Sequence, residues 1–297
     1  MTALSSYLEE KRLAVEAALR SALPPAEGPA ARLHEAMTYS LMAGGKRIRP
    51  ILAIAAAESC GADAARVMPA ACALEFIHTY SLVHDDLPCM DNDDLRRGRP
   101  TNHKVYGETM ALLAGDGLLT HAFRLIADNG RLVGVPAGAV AEVLTVVADA
   151  AGPTGMVGGQ AADWLAEGRE TGEAEVVYIH THKTGAMIRA SVLVGAILAG
   201  APESRRAALA SYGEKLGLLF QIVDDCLNVE GDAARLGKAT GSDAAHKKAT
   251  FPAVAGLPAA KARADALVAE ARGALGTLNG HGGMLADLAE FVRRRES

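Results

Sequence analysis

The sequence predicts an all-α protein, and three observations carry that expectation. Apolar residues recur at helical spacing, period-two alternation bounded by turn residues is nearly absent, and half of the 297 residues are hydrophobic with a mean hydropathy of +0.13. A chain of this length, rich in Ala, can bury a sizeable core. Punctuation is short throughout, at Pro24-Pro25, Gly28-Pro29, Gly98-Arg99-Pro100, Asn129-Gly130, Gly152-Pro153, Ala201-Pro202 and the glycines of 280–283. No long polar linker or fixed repeat divides the chain, so residues 1–297 read as a single-domain helical bundle.

The first twenty residues form a charged amphipathic pattern with a candidate capping box at Ser6 and Glu9. They lack the basic, apolar and small-residue succession of a secretory signal, so export is not expected. Helical periods then cover 33–42, 67–83, 109–126, 140–150, 174–198 and 209–229. The most apolar run, 190–201, is about a dozen residues, short of the roughly 20 that a membrane span needs. It reads as a buried core helix, and no membrane span is expected.

Aromatic residues make up only 4% and the net charge is −5, so the chain has neither a basic footprint for nucleic acid nor the stacking groups that single strands need. Cys60, Cys72, Cys89 and Cys226 are scattered, without CxxC pairs or histidines at zinc spacing. A disulfide framework is not expected, and a reducing cytoplasm fits best.

Two acidic segments, Asp85-Asp86-Leu87-Pro88-Cys89-Met90-Asp91 and Asp224-Asp225-Cys226-Leu227-Asn228, each close a long apolar stretch, where ionised groups are expensive to hold. Carboxylates so placed repel one another unless hard cations sit between them. Oxygen-only ligation suits Mg²⁺, which takes a few carboxylates plus substrate phosphates, so a phosphate ester is the expected substrate. On a straight helix Asp91 would lie about 240° round from Asp85. Pro88 disfavours α geometry at Leu87 and removes a backbone donor, which lets the helix end and the chain fold Asp91 back beside Asp85. Asp224 and Asn228, four residues apart, share a helix face without such a device. Acidic pairs at helix ends are usually solvated surface. Two of them inside apolar periodicity favour the metal reading.

Cations flank these acids. Arg96-Arg97-Gly98-Arg99 follows the first segment, Gly44-Gly45-Lys46-Arg47-Ile48-Arg49-Pro50 ends an earlier helix, and Lys183, Lys238, Lys247 and Lys248 accompany later ones. Arginine offers planar forked donors to phosphate oxygens, lysine a mobile point charge, and the glycine pair lets backbone approach a ligand closely. Gly44-Gly45-Lys46 is not a P-loop, since Ser40 stands where that motif's first glycine belongs and Arg47 follows the lysine. Such charged turns are usually solvated, but two separate basic sets suffice for two phosphate sites.

With these segments in view, the chain resembles the short-chain trans-polyprenyl diphosphate synthases, of the farnesyl and geranylgeranyl diphosphate synthase type, over nearly its whole length. The resemblance rests on 44–50, the run from Ile77 to His84 leading into Asp85-Asp86, Asp91 to Lys104, Ala114-Gly115-Asp116, 155–160, His182-Lys183-Thr184-Gly185, Phe220 to Asp225, Gly237-Lys238 and Lys248 to Pro252. It implies an all-α bundle around a deep apolar cavity, usually a homodimer, that joins isopentenyl diphosphate to an allylic diphosphate with magnesium. By position it makes Asp85, Asp91 and Asp224 the main magnesium ligands, with Asp86 and Asp225 supporting. It makes Lys46, Arg49, His78 and Arg97 the isopentenyl diphosphate site, and Arg96, Lys183, Lys238 and Lys248 the allylic diphosphate clamp. Thr184 and Gln221 would face the reacting carbon.

The chemistry accounts for those residue types. An allylic C–O bond ionises readily when preorganised cations meet the growing charge of the departing diphosphate. The allylic cation must then be kept from water and held near the double bond of isopentenyl diphosphate, hence an aliphatic cavity with weak dipoles such as Thr184 and Gln221. The released diphosphate is the expected base for the final proton, so no protein base is assigned. His84 and His182 read as structural. Met110, Met156 and Met187 read as core or cavity filling, and 155–160 as either a close helix crossing or a flexible part of the site.

The second acidic motif ordinarily ends in aspartate where this chain has Asn228, which loses one negative charge but keeps a carbonyl oxygen that can hold a magnesium-bound water. Tyr80 and Ser81 lie roughly 6–7 Å deeper than Asp85 along the helix, where a growing tail would first meet a floor. A bulky Tyr80 favours a fifteen-carbon farnesyl product, with twenty-carbon geranylgeranyl diphosphate as the alternative. A class I terpene cyclase would have no use for Lys46, Arg49 and Arg97, and a catalytically silent partner subunit would be expected to lose the acidic motifs.

Overall fold

The computed structural model describes residues 2–133, 135–230, 248–278 and 280–295. Helix α1 (Ala3–Ala22) starts at Thr2, whose hydroxyl accepts the Ser5 N–H over 3.2 Å. The cap therefore lies at Thr2 and not at Ser6, and Glu9 pairs with Arg12 at 2.7 Å on the next turn. After α2 (Ala31–Leu41), α3 (Ile48–Ser59) and α4 (Met68–Asp85), a short hairpin joins β1 (Leu95–Arg96) to β2 (Arg99–Pro100). Its turn residues Arg97 and Gly98 have φ of 54° and 73°, which suits the tight turns that match strand twist.

Helices α5 (Asn102–Tyr106), α6 (Glu108–Val133), α7 (Ala137–Ala151) and α8 (Met156–Ala166) follow. Helix α9 (Glu173–Ile179) runs through a π-helical turn at His180–Gly185 straight into α10 (Ala186–Leu198). Then come α11 (Glu203–Glu230), α12 (Phe251–Ala255), α13 (Leu257–Ala274) and α14 (Gly283–Arg294). The helical periods read from the sequence fall on these helices, except that Met42 and Val67 are the cap residues just outside α2 and α4 and 180–185 is the π turn.

The core has two parts. One gathers buried side chains of α1, α2, α4, α6 and α7, including Leu19, Leu41, Phe76 and Leu118. The other gathers those of α11, α13 and α14, including Tyr212, Leu216, Leu267 and Leu288. Helices α3 and α10 send residues into both, Ile54 and Val194 to the first and Leu52 and Val192 to the second. From Ala190 to Leu198 every residue of α10 is buried, as its apolar run demands, and each fully buried Leu, Ile or Val contributes about 1.5–3 kcal/mol.

Two other segments, Glu108–Arg131 and Ala137–Ala166, reach a mean hydropathy of 1.3 and have the length to cross a membrane by composition alone. Here α6 packs on α4, α2, α5 and α7. A groove of about 470 Å³ between α7, α10 and α11 is bordered by Glu142, Arg189, Arg206 and Glu214, which pair as Arg206–Glu142 at 2.8 Å and Arg189–Glu214 at 3.0 Å.

Candidate active site

The first acidic segment folds back as Pro88 implies. Helix α4 ends at Asp85, the Leu87 N–H donates to the His84 carbonyl, and the Asp91 N–H donates to the Asp85 carbonyl over 2.8 Å. Asn92 then takes a left-handed φ of 52° and donates its N–H to the Leu87 carbonyl. Asp85 and Asp91 thus become neighbours across a closed loop. The Asp85 carboxyl is pushed up to about 6, chiefly by burial and then by Asp91, while Lys183, Arg96 and Lys248 pull it down. A half-buried acid pair in this condition is stabilised by any cation that enters between its members.

Protein cations already stand around the pair. Lys248 Nζ lies 3.2 Å from both Asp91 carboxylate oxygens. Arg96 forks onto the buried Asp86, its Nε 2.7 and 2.9 Å from the two oxygens. Asp86 therefore has a partner on the protein, and burial raises its pKa against the pull of Arg96. Lys238 and Lys247 lie outside the described residues.

The second segment rides on α11. Asp224 is exposed, and Arg295 donates to it at 3.0 Å and to the Phe220 carbonyl at 2.9 Å. Asp225 turns inward, where it accepts the Phe251 N–H at 2.7 Å and lies 3.3 Å from His180 Nε2. His180 is buried and its pKa falls to about 4, first through burial, so the ring is neutral and the contact is not an ion pair. Asp163, Asp224 and Lys183 all act on His180, which places the second segment and Lys183 around one π turn.

That turn is seated by a close crossing. A Cβ on Gly159 of α8 would stand 2.1 Å from the Lys183 nitrogen, so only glycine fits, and the 155–160 stretch is a helix contact. One turn on, Asp163 receives Lys183 Nζ at 2.5 Å. The π turn carries Lys183 and a half-buried Thr184, and π turns recur at functional sites. Gln221, half-buried, precedes Asp224 on α11, which packs on the same turn.

The other basic set assembles at the N-terminus of α3. Arg47, at φ 53°, is wholly buried and donates to Glu75 at 2.8 Å and to the Leu41 carbonyl at 2.9 Å. This leaves Lys46 exposed and aims Arg49 inward, with its Nε buried and unpartnered among the described residues. Partial desolvation by the groups around it, and then the neighbouring Arg295, lowers the Lys46 pKa, with Asp224 opposing them. The Arg97 guanidinium donates to the Gly44 carbonyl and lies over the glycine pair, where a Gly45 Cβ would stand 2.7 Å from Nη1. Gly45 therefore admits a side chain of the protein itself, whereas a Cβ on Gly44 would meet nothing within 4 Å. The His78 ring lies among Arg49, Arg97, Arg96 and Arg47, and burial followed by those charges holds its pKa well below the usual histidine value.

Tyr80 is buried on α4, edge-on to His84 at 5.7 Å between centroids, and the Ser81 hydroxyl donates back to the His78 carbonyl at 2.9 Å. His84 Nε2 lies 3.0 Å from the Leu112 carbonyl of α6, and His182 stacks on Tyr178 at 3.9 Å.

Among the described residues no three carboxylate, histidine or cysteine side chains converge as a ready metal cage. The donor set still fits magnesium, which is held by one or two carboxylates plus substrate phosphates and not by an all-protein cage. Asp85 and Asp91 at the end of α4, and Asp224 on α11, are the carboxylates that could serve as such donors. Sequence reasoning missed Glu75, Asp163 and Arg295. The signal for the first was an acid inside the apolar run 70–77, and for the second an acid three residues past Gln160.

A family model for polyprenyl synthetase matches residues 30–274. Over 295 residues the chain is 48% identical to a farnesyl diphosphate synthase of Geobacillus stearothermophilus, covering 99% of this chain and 98% of that protein. It is 43% identical to a geranylgeranyl diphosphate synthase of Cyanophora paradoxa, with 99% and 97% covered. The apo crystal structure of an FPP/GFPP synthase from Zymomonas mobilis superposes with a TM-score of 0.85 at 34% identity, covering 98% of both chains.

Proposed function

The chain belongs to the polyprenyl synthetase family and is a prenyltransferase, and within that class we propose that it joins isopentenyl diphosphate to dimethylallyl or geranyl diphosphate to make farnesyl diphosphate. The observation that carries this reading is the fold-back of Asp91 onto Asp85 within reach of Lys183 and Lys248, with a second gathering of cations, Arg49 and Arg97, around His78. Two diphosphates need two such places.

Asp85, Asp91 and Asp224 would hold magnesium, which when bound supplies positive charge to the allylic diphosphate as its C–O bond breaks. Lys183 and Lys248 meet the same charge from the protein, with Lys238 assigned to this clamp from the sequence. Thr184 and Gln221 would offer weak dipoles beside the reacting carbon, and the aliphatic cavity that the family resemblance implies below Asp85 would keep water out. Lys46, Arg49 and Arg97 orient isopentenyl diphosphate, and a neutral His78 can donate to it without adding charge. The buried Tyr80 supports a fifteen-carbon limit. The twenty-carbon alternative is supported by the likeness to the Cyanophora enzyme.

Exposed apolar side chains support a homodimer: Leu112 and Leu113 on α6, and Val157, Trp164 and Leu165 on α8, are all about half exposed in the single chain. The four free cysteines fit the cytoplasm. The test is chromatography of dephosphorylated products from isopentenyl diphosphate with dimethylallyl, geranyl or farnesyl diphosphate. Magnesium-dependent farnesol from the first two primers is expected, and failure to extend any primer would refute the assignment.

A further inference from the structure

Glu75 is an acid in the middle of the apolar helix α4, 2% exposed, and the substrate roles assigned above do not use it. Its Oε1 accepts Arg47 Nη1 at 2.8 Å, and the Arg47 side chain is itself fully buried. Arg47 also reaches back to the Leu41 carbonyl at 2.9 Å and lies 3.7 Å from Glu16. One buried pair thus ties α1, the end of α2, the start of α3 and α4 together. The residue it holds in left-handed backbone lies between Lys46 and the Arg49 turn.

The carboxylate also acts beyond Arg47. Glu75 favours the charged forms of Arg49 and Arg97, whereas those arginines oppose each other. His78 lies one turn after Glu75 on the same helix face. Arg47, Arg49, Arg97 and His78 therefore crowd on the Glu75 side of this corner, with Glu16 reaching Arg47 alone, and Arg49 Nε is buried without a hydrogen-bond partner among the described residues. Without Glu75, three guanidinium groups in a low-dielectric corner would repel one another until one swung away.

We propose that Glu75 is a positioning residue for isopentenyl diphosphate: it touches no substrate atom, but it fixes the 44–49 loop through Arg47 and supplies the counter-charge that lets Arg49 and Arg97 share one diphosphate site before substrate arrives. The cost of gathering the cations is met in folding and not in binding, which is how preorganisation improves affinity. The inference rests on the assignment of this cluster to isopentenyl diphosphate made above.

Isopentenyl diphosphate alone has no allylic C–O bond to ionise, so its binding can be read without turnover. Calorimetry compares wild type with Glu75→Gln, which keeps the shape and removes the charge. Isopentenyl diphosphate should bind roughly tenfold more weakly, dimethylallyl diphosphate should bind as to wild type, and KM for isopentenyl diphosphate should rise with kcat at saturation retained. Should Glu75→Gln fail to fold because Arg47 is left buried and unpaired, the double variant Arg47→Met with Glu75→Leu removes both charges while filling the space, and it should show the same selective loss. Unchanged or tighter isopentenyl diphosphate binding in the folded variant, or an equal loss for both substrates, would overturn the inference. A wild-type protein that extends no primer would instead defeat the prenyltransferase reading on which it stands.

Discussion

The Asp91 N–H donates to the Asp85 carbonyl over 2.8 Å, and this one backbone bond places two carboxylates six residues apart on the same side of the site. Asp86 and Asp225, by contrast, are engaged by the protein, Asp86 by Arg96 and Asp225 by the Phe251 N–H. Asp91→Asn should lower kcat by roughly 100-fold or more, with the urea midpoint little changed. Asp225→Ala strands the buried Phe251 N–H and should cost about 1–3 kcal/mol of stability. A stable Asp225→Ala enzyme with a collapsed magnesium response would reverse these roles.

Asn228 ends the second motif one charge short. Asn228→Asp should lower the magnesium concentration for half-maximal rate severalfold with little change in kcat, because a carboxylate holds a metal-bound water more strongly than an amide does. A magnesium titration that does not move would contradict this.

Tyr80 is buried on α4 below Asp85 and braced by His84. Tyr80→Ala should move the product spectrum toward twenty carbons and beyond, read by chromatography of the dephosphorylated alcohols. An unchanged spectrum would place the floor elsewhere.

His78 has a pKa held well below the free value of 6.5 by burial and by Arg49, Arg97, Arg96 and Arg47. Because the unfolded chain binds this proton more readily, the histidine costs the fold stability as pH falls below about 6.5 and costs nothing above it. Between pH 7 and pH 5 the urea midpoint of His78→Gln should therefore fall less than that of wild type, and equal falls would show that the ring is not desolvated.

The helices were legible because their apolar periods are long, and the fold-back was legible because Pro88 disfavours continuation of the helix. The π turn at His180–Gly185 was not, since its six residues carry helical composition and its close neighbours, Gly159 of α8 against Lys183 and Gly217 of α11 against Gly185, are far away in sequence. The glycine pair at 44–45 announced a close approach without saying of what, and the answer, Arg97, lies some fifty residues further along the chain. Glu75, Asp163 and Arg295 were missed for one reason: each acts through a partner on another helix or loop, namely Arg47, Lys183 and Asp224, and local spacing holds no record of such pairs.

The central claim, that acids from α4 and α11 together hold divalent ions against one diphosphate, is tested most directly by manganese binding followed through the free-ion spin-resonance signal in the presence of inorganic diphosphate. Wild type should take up manganese only with diphosphate present, and Asp85→Asn and Asp224→Asn should each weaken that uptake severely while leaving the protein folded. Full uptake by either variant would show that the two segments do not share the metal.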